Sequence, residues 1–137
     1  MNTVCIATYN GEKYIKEQID SILLQIASDD EIVISDDGSS DDTINIINSL
    51  NDKRIHLYIN EGKHGFKSNF ENAIKRAMGN YIFMSDQDDV WFPNKYNAIL
   101  SYLKINDLVH HNSELTKGNL EPYGKTLYEE CNNHCGF

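Results

Sequence analysis

Three carboxylates lie within four positions of the segment SDQDDVWFP, residues 85–93, and an apolar run follows them directly. If Asp86, Asp88 and Asp89 hold their charges about 5 Å apart, each pair repels by roughly 3 kcal/mol at an effective dielectric of about 20. A turn needs only one or two Asp or Gly residues, and this segment has no Gly. Because magnesium and manganese prefer carboxylate oxygens, the segment predicts a divalent metal site.

A second acidic segment, DDGSSDDT at residues 36–43, also follows an apolar run. Gly38 suits a tight turn, and Ser39 or Ser40 is the predicted N-cap of a helix with two aspartates in its first turn. Taken alone, this segment indicates a turn and a helix cap rather than a functional site. Its occurrence together with residues 85–93 favours a site that the two segments share.

Strand-like apolar runs alternate with helix-like stripes along the chain, which is the pattern of βα units around a mostly parallel sheet. The predicted strands cover residues 3–8, 31–35, 54–60, 81–85 and 108–111. The predicted fold class is therefore α/β, with three αβα layers. After Thr116 no period is visible, so we predict one domain at residues 1–115 and an irregular tail at residues 116–137.

The polar residues fall at one edge of this predicted sheet. In an open parallel sheet, ligands bind outside the carboxyl ends of the strands, near the point where the strand order reverses. The first predicted strand ends at Thr8 and Tyr9, the second at Asp37, and the fourth at residues 86–89. We therefore expect Asp37 and Asp88 to line one pocket.

A capping box of Ser68 and Glu71 is predicted at the start of the helix that follows the third strand. Backbone N–H groups at a helix N-terminus bind anions, and Lys67 lies beside them in the sequence. A diphosphate bound there would supply further oxygen ligands to the metal, which reconciles an acidic pocket with an anionic ligand. The expected site therefore combines a metal, a diphosphate and this helix.

The overall charge and the missing motifs exclude several classes of protein. The net charge is -9 without a basic stripe, so nucleic acid is not an expected partner. The sequence has no Walker A motif, no G-x-G-x-x-G and no EF-hand loop. No run approaches the roughly 20 apolar residues of a membrane span. Metal-dependent phosphoryl transfer, a receiver-like domain and a non-catalytic nucleotide-binding remnant stay open as alternatives.

Four segments, in this order, resemble the inverting family-two glycosyltransferases with a GT-A fold, especially their rhamnosyltransferase-like branch. They are TYNGEKYI at 8–15, ISDDGSSDDT at 34–43, NEGKHGFKSNFENAI at 60–74 and YIFMSDQDDVWFPNK at 81–95. The resemblance extends from residue 2 to residue 115. It implies the Rossmann-like, nucleotide-sugar-binding part of a GT-A domain.

The resemblance implies transfer of a sugar from a nucleotide-diphosphate donor to an acceptor hydroxyl during assembly of cell-surface polysaccharide or other glycans. It implies Mn²⁺ or Mg²⁺ as the cofactor and a saccharide or lipid-linked saccharide as the acceptor. The implied location is the cytoplasm, including peripheral association with the inner face of the membrane. A carboxylate general base would deprotonate the acceptor hydroxyl for a single displacement with inversion.

The resemblance also implies roles for individual residues around the nucleotide. Thr8, Tyr9 and Glu12 would line the nucleoside. Asp37 would accept a hydrogen bond from the base, and Lys67 would lie near the diphosphate.

In the metal region, the resemblance implies that Asp88 coordinates the ion directly and that Asp86 is the second member of the pair. Asp86 or Gln87 would contact the ribose, a metal-bound water or the sugar. Asp89 is expected to cap or orient the following turn. Trp91 is expected to pack in the core rather than to form a wall of the sugar pocket.

The chain departs from the family pattern in its last part. The family's general base is usually an Asp in an acidic pair well downstream of the metal motif. The carboxylates that follow the fifth predicted strand here are Glu114, Glu121, Glu129 and Glu130. None of them lies in a recognisable acceptor motif, so no catalytic base is assigned. Either the chain is a truncated donor-binding half, or a partner or a longer natural product supplies the rest. We therefore predict donor binding more readily than turnover.

A cysteine- and histidine-containing segment, CNNHC, lies at residues 131–135. It contains Cys131, His134 and Cys135, whereas a structural zinc site normally has four ligands in two regular pairs. Zinc binding is therefore not expected there.

Overall fold

The computed structural model describes residues 1–116 and 121–126. The chain forms two compact units, Met1–Leu100 and Ser101–Phe137. The strands are β1 (Thr3–Thr8), β2 (Glu31–Asp36), β3 (Ile55–Ile59), β4 (Ile82–Asp86), β5 (Glu114–Thr116) and β6 (Pro122–Thr126). The helices are α1 (Ile15–Leu23), α2 (Thr43–Ser49), α3 (Phe66–Ile74) and α4 (Lys95–Leu103). None of the helices in the described residues has the length and apolar character that crossing a membrane requires.

The first unit contains a parallel sheet with the strand order β3-β2-β1-β4. The chain adds β2 and β3 on one side of β1 and then places β4 on the other side, so the strand order reverses at β1. In register, Thr8 pairs with Asp36, and Ala7 pairs with Asp86. The carboxyl ends of β1, β2 and β4 therefore lie side by side, with the switch point between β1 and β4.

Helices cover both faces of this sheet. On one face, Asn72 of α3 donates a hydrogen bond to Ser35 Oγ of β2 at 2.7 Å. On the opposite face, Gln18 of α1 donates a hydrogen bond to Ser85 Oγ of β4. The fully buried apolar side chains of β1, β2 and α1 are Val4, Cys5, Ile6, Ile15, Ile19, Ile22, Ile32, Val33 and Ile34. Burial of each large aliphatic side chain contributes about 1.5–3 kcal/mol to stability. Because helices cover both faces of the parallel sheet, the predicted three-layer α/β fold is confirmed.

The predicted cap of α2 is wrong. The helix begins at Thr43, with Asp42 at its N-cap. Ser39 lies too far before the helix to cap it. Its hydroxyl donates a hydrogen bond to Asp36 Oδ2 at 2.5 Å instead. Ser40 is likewise engaged elsewhere, since its backbone N–H donates to Asn10 Oδ1 at 2.8 Å.

The predicted capping box of α3 is also wrong. The helix begins at Phe66, with Gly65 at its N-cap and no side-chain cap. Ser68 therefore lies inside the helix, where its hydroxyl donates to the Gly65 carbonyl at 2.9 Å. Gly65 has a φ of 124°, which favours glycine, so the backbone rather than a serine begins this helix.

The second unit contains β5 and β6, which pair antiparallel. The strand predicted at residues 108–111 is wrong, because the structure has no strand there. Leu108 is 85% exposed, so this short apolar run has no buried face to stabilise a strand. β6 lies inside the segment that was expected to be irregular.

Candidate functional site

A cavity of about 810 Å³ lies at the carboxyl edge of the parallel sheet. Its lining includes six of the residues that the sequence singled out: Thr8, Tyr9, Asp37, Asp86, Gln87 and Asp88. Other lining residues are Ala7, Gly38, His64, Gly65, Phe66 and Asn69. The expectation that Asp37 and Asp88 share one pocket is confirmed, since parallel strands bring their carboxyl ends to the same edge.

Asp37 follows β2 and is held by the loop that leads into α3. Its Oδ1 accepts a hydrogen bond from Asn60 Nδ2 at 2.8 Å, and its Oδ2 accepts one from the Gly65 N–H at 2.7 Å. The side chain is buried, so these bonds satisfy a carboxylate that would otherwise lack solvation. Asp37 therefore fixes the loop at residues 60–65 and forms part of the cavity wall.

The preceding carboxylate, Asp36, has a structural role instead. Its Oδ1 accepts hydrogen bonds from the backbone N–H groups of Gly38 and Ser39, at 3.0 and 2.8 Å. Asp36 is fully buried and closes the tight turn after β2, where Gly38 has a φ of 85°. Of the two adjacent aspartates, only Asp37 reaches the cavity.

The acidic residues at the end of β4 and directly after it repel one another. Partial burial, together with the nearby charges of Asp89 and Asp88, raises the pKa of Asp86 above its usual range. A cation would relieve this repulsion, and the oxygen donors of Asp86 and Asp88 suit magnesium or manganese. The described residues contain no cluster of three or more His, Cys, Asp or Glu side chains that could hold a metal by themselves. The two aspartates therefore fit a site in which water and a bound ligand supply the other oxygens.

A buried polar group supports this acidic loop from below. Ser85 Oγ accepts a hydrogen bond from Trp91 Nε1 at 2.9 Å and a second from Gln18 Nε2 of α1. All three residues are buried. Gln18 Oε1 is also buried, and it has no hydrogen-bond partner among the described residues. The position of residues 86–89, between Ser85 and Trp91, is therefore determined through α1.

Ser21 of α1 and Gln25, just after this helix, hold the backbone of Trp91. The Trp91 N–H donates to Ser21 Oγ at 3.0 Å, and Gln25 Nε2 donates to the Trp91 carbonyl at 3.4 Å. Trp91 also packs against Phe83, with ring centroids 6.0 Å apart. The expectation that Trp91 packs in the core is confirmed.

Lys95 lies over the indole of Trp91, with Nζ 4.9 Å from the ring centroid. Burial lowers the pKa of Lys95, and the nearby Asp89 carboxylate partly opposes this shift. Asp89 is not among the cavity-lining residues, whereas Asp86 and Asp88 are.

Gln87 connects the end of β4 to the end of β1. Its Oε1 accepts hydrogen bonds from Thr8 Oγ1 at 2.7 Å and from the Tyr9 N–H at 2.9 Å. Its Nε2 donates to the Tyr9 carbonyl at 3.2 Å. The polar atoms of Gln87 and the Thr8 hydroxyl are therefore used within the protein. Tyr9, whose side chain is 55% exposed, presents an aromatic ring at the cavity.

The structure does not bring Glu12 to the cavity. Glu12 belongs instead to a pair of interlocked loops, residues 10–12 and 39–43. Its Oε2 accepts a hydrogen bond from the Asp42 N–H at 3.0 Å, and its own N–H donates to Asp41 Oδ2 at 3.1 Å. The Gly11 N–H donates to Thr43 Oγ1 at 2.8 Å in the same loop pair. Glu12 therefore stabilises the rim next to the cavity.

Lys67 is also outside the cavity lining, because it projects from the first turn of α3 as an exposed side chain. Its neighbours in the same segment line the cavity instead: His64, Gly65, Phe66 and Asn69. The family resemblance implied no role for any of these four residues. The signal that could have identified these residues is the sequence His64-Gly65-Phe66 at the start of α3, in which a histidine and an aromatic residue flank a glycine.

Of the four downstream carboxylates considered as a general base, two lie in the described residues, and the structure identifies neither of these two as a base. Glu114 lies in β5 and Glu121 precedes β6. The CNNHC segment, Glu129 and Glu130 lie outside the described residues.

Comparison with known proteins identifies the family of the chain. The model of glycosyl transferase family 2 matches residues 3–132. The chain belongs to glycosyl transferase family 2. The GT-A type of sheet predicted from the sequence is therefore confirmed together with the family.

Two relatives and one solved structure illustrate how similar this chain is to known proteins. An uncharacterized glycosyltransferase of Rickettsia prowazekii is 40% identical over 101 residues, covering 74% of this chain and 31% of that protein. The Escherichia coli glucosyltransferase WfgD, which acts with UDP-Glc on α-D-GlcNAc-diphosphoundecaprenol, is 32% identical and matches 85% of this chain and 47% of WfgD.

The structure of S. aureus TarS residues 1–349 in complex with UDP-GlcNAc has a TM-score of 0.68 and 26% identity to this chain. The match covers 83% of this chain and 33% of the TarS chain. This chain thus spans between about a third and a half of the length of these three proteins.

Proposed function

We propose that this chain binds a nucleotide-diphosphate sugar, and that the protein transfers the sugar with inversion to a saccharide or lipid-linked saccharide hydroxyl in cell-surface polysaccharide assembly. The observation that carries the proposal is the shared cavity of Asp37, Asp86 and Asp88, beside Thr8 and Tyr9 at the switch point of the sheet. Membership of glycosyl transferase family 2 supports the reaction class.

The two sides of the cavity suit different parts of such a donor. Tyr9 and Phe66 are exposed aromatic side chains, 55% and 68% accessible, that offer apolar surface to a nucleobase. Asp37 lines the same cavity and is bonded to the loop at residues 60–65, and a carboxylate oxygen there suits an N–H of the base. Contacts from Glu12 and Lys67 to the donor stay predictions, because neither side chain lines the cavity.

Asp88 and Asp86 would hold Mg²⁺ or Mn²⁺ on the opposite side. When bound, the ion would neutralise charge on the diphosphate leaving group. Ser85, Trp91 and Gln18 position the segment that carries these carboxylates. Gln87 keeps this segment next to Tyr9 and so maintains the distance between the two sides of the cavity.

We propose UDP as the nucleotide, since WfgD acts with UDP-Glc and TarS was solved with UDP-GlcNAc. The WfgD acceptor supports a sugar carried on a polyprenyl diphosphate as the acceptor class. The cytoplasmic location that the sequence implies would suit such an acceptor at the inner face of the membrane.

Calorimetric titration with UDP, GDP and TDP, each with and without Mn²⁺, tests the donor site. We expect binding of UDP that depends on the ion and is lost in Asp88→Ala. Asp107→Ala is the matched control, because Asp107 is an exposed aspartate outside the cavity lining. Silence across the panel would contradict the proposal and favour a non-catalytic remnant. Steady release of phosphate from small phosphoesters would instead favour metal-dependent phosphoryl transfer.

A further inference from the structure

The cavity is acidic on the side where an anionic donor has to bind. Asp37, Asp86 and Asp88 all line it. Among the described residues that line it, His64 is the single side chain that can become a cation. Lys67, which the sequence analysis placed near the diphosphate, lies outside the lining. If the protein contributes a positive charge at this cavity, the imidazole of His64 is therefore its source.

The hydrogen bonding of His64 determines which ring nitrogen faces the ligand. Nδ1 lies 2.9 Å from the carbonyl oxygen of Asp37. A carbonyl oxygen accepts but cannot donate, so Nδ1 carries a hydrogen in both the neutral and the charged ring. No described residue bonds Nε2, and the side chain is 65% exposed. Nε2 is therefore the atom that gains or loses a proton, and it is free to meet a ligand.

The ring is also held in place. A Cβ atom on Gly38 would lie 3.5 Å from His64 Cε1, so the imidazole edge packs over the tight turn after β2. The next residue, Gly65, donates its N–H to Asp37 Oδ2 at 2.7 Å. The position of His64 is thus fixed on both sides by the loop that Asp37 anchors, immediately before the N-terminus of α3.

Side chains of both charges surround His64, and a diphosphate would add negative charge beside it. Asp37 Oδ1 lies 3.3 Å from Nδ1, and Asp86 and Asp88 lie on the β4 side of the same cavity. Lys63 precedes His64 in the loop, and Lys67 follows it in the first turn of α3. A metal on the two β4 aspartates neutralises the acidic side, whereas a diphosphate adds anionic oxygens between that side and His64.

We propose that His64 is a donor-binding residue that contacts the diphosphate and takes up a proton when the nucleotide sugar binds. The proton comes from the solvent buffer and is held at Nε2, whose N–H then donates a charge-assisted hydrogen bond to a diphosphate oxygen. This proposal rests on the proposed function, because it requires a nucleotide sugar in the cavity. It names a recognition residue that none of the sequence motifs singled out.

Calorimetry with UDP-glucose tests the proposal by counting protons. A nucleotide sugar is the right probe, because its diphosphate is esterified at both ends and does not titrate near neutral pH, unlike UDP. The titration is carried out at saturating Mg²⁺, so that the β4 aspartates have already released any proton. It is repeated at one pH in PIPES and in Tris, whose heats of ionisation differ. We expect the apparent binding enthalpy to differ between these buffers by the heat of the proton taken up.

His64→Gln keeps a polar side chain that cannot be protonated. We expect it to abolish the buffer dependence and to weaken UDP-glucose binding about tenfold, the size of one hydrogen bond to a charged group. His56→Gln, on β3 outside the cavity, is the matched control and should retain both properties. Equal melting temperatures of the two variants would establish that His64→Gln is folded.

The outcomes separate this proposal from the one on which it rests. In one outcome, the wild type binds UDP-glucose without buffer dependence, Asp88→Ala does not bind it, and His64→Gln binds it as tightly as the wild type. The donor site then stands, and His64 has no part in it. If neither UDP-glucose nor any nucleotide of the earlier panel binds the wild type, the proposed function itself is overturned.

Discussion

The indole N–H of Trp91 donates a hydrogen bond to the hydroxyl oxygen of Ser85 at 2.9 Å, beneath the acidic loop that separates the two residues. Both side chains are buried, and α1 contacts both of them through Gln18 and Ser21. The loop of residues 86–89 is thus held at each end by the same helix. The geometry of the Asp86 and Asp88 carboxylates therefore depends on residues that do not line the cavity.

Trp91→Phe is expected to weaken metal-dependent nucleotide binding and to lower the free energy of unfolding. The substitution removes the N–H to Ser85 and leaves a cavity, at a cost of about 2 kcal/mol. Urea denaturation measures the stability, and calorimetry with UDP and Mn²⁺ measures the binding. Phe92→Leu is the matched control, since Phe92 is adjacent and 58% exposed. Equal losses in the two variants would contradict a specific role for Trp91.

Gly11→Ala is expected to displace the Gln87 carboxamide. A Cβ at position 11 would lie 2.4 Å from Gln87 Oε1 and 3.0 Å from Thr8 Oγ1. Gln87 would then lose its bonds to Thr8 and Tyr9, and the ends of β1 and β4 would separate. We expect a loss of about 1–2 kcal/mol in stability and weaker nucleotide binding.

A double-mutant cycle with Gln87→Ala isolates this clash. In the absence of the Gln87 side chain, the added methyl group has little to displace. In urea denaturation, the double variant should therefore lose about 1 kcal/mol less unfolding free energy than the two single variants lose together. Strict additivity would show that Gly11 is required for another reason.

Asp86→Asn is expected to make the metal-free protein more stable near neutral pH. Burial, followed by the charges of Asp89 and Asp88, raises the pKa of Asp86 in the folded protein. The stability that the protonated form contributes is full below the unfolded pKa and is lost as the pH rises through the folded pKa. Because Asn cannot ionise, the stability gained by the variant should grow with pH over this window.

Urea denaturation in EDTA, at steps between about pH 3 and pH 7, measures this difference. Added Mg²⁺ should stabilise the wild type and leave Asp86→Asn nearly unchanged. Asp107→Asn, with an exposed side chain, serves as the control with no such trend. A gain in stability that is constant across the pH range would show that the repulsion at Asp86 is not its origin.

Much of the fold follows from short-range pattern, and the exceptions are positions where tertiary contacts decide. The apolar runs of β1 to β4 are long enough to be buried, and their alternation with helical stripes indicated a parallel sheet. The predicted strand at 108–111 failed because Leu108 is exposed, and periodicity does not report what an apolar run packs against. The prediction of the α2 cap failed because the Ser39 hydroxyl bonds Asp36. The local sequence does not distinguish this bond from a bond that caps the helix.

The site was predictable as far as the strand-end rule applies. Asp37, Asp86 and Asp88 follow strands, so the sheet alone places them at one edge. Glu12 and Lys67 lie in loops and in a helix turn, where the direction of a side chain depends on partners from distant segments. Glu12 is engaged by Asp42, about 30 positions away, and no local pattern contains that information. His64 was missed for the same reason, since its bond to Asp37 spans 27 positions.

The interlocked loops at residues 10–12 and 39–43 have a consequence for how a donor enters and leaves. Backbone N–H groups of each loop donate to side chains of the other, at Asn10, Gly11, Glu12, Ser40 and Asp42. Such mutual bonding makes the two loops fluctuate as one body. Displacing either loop from the rim of the cavity therefore requires its hydrogen bonds to the other loop to break.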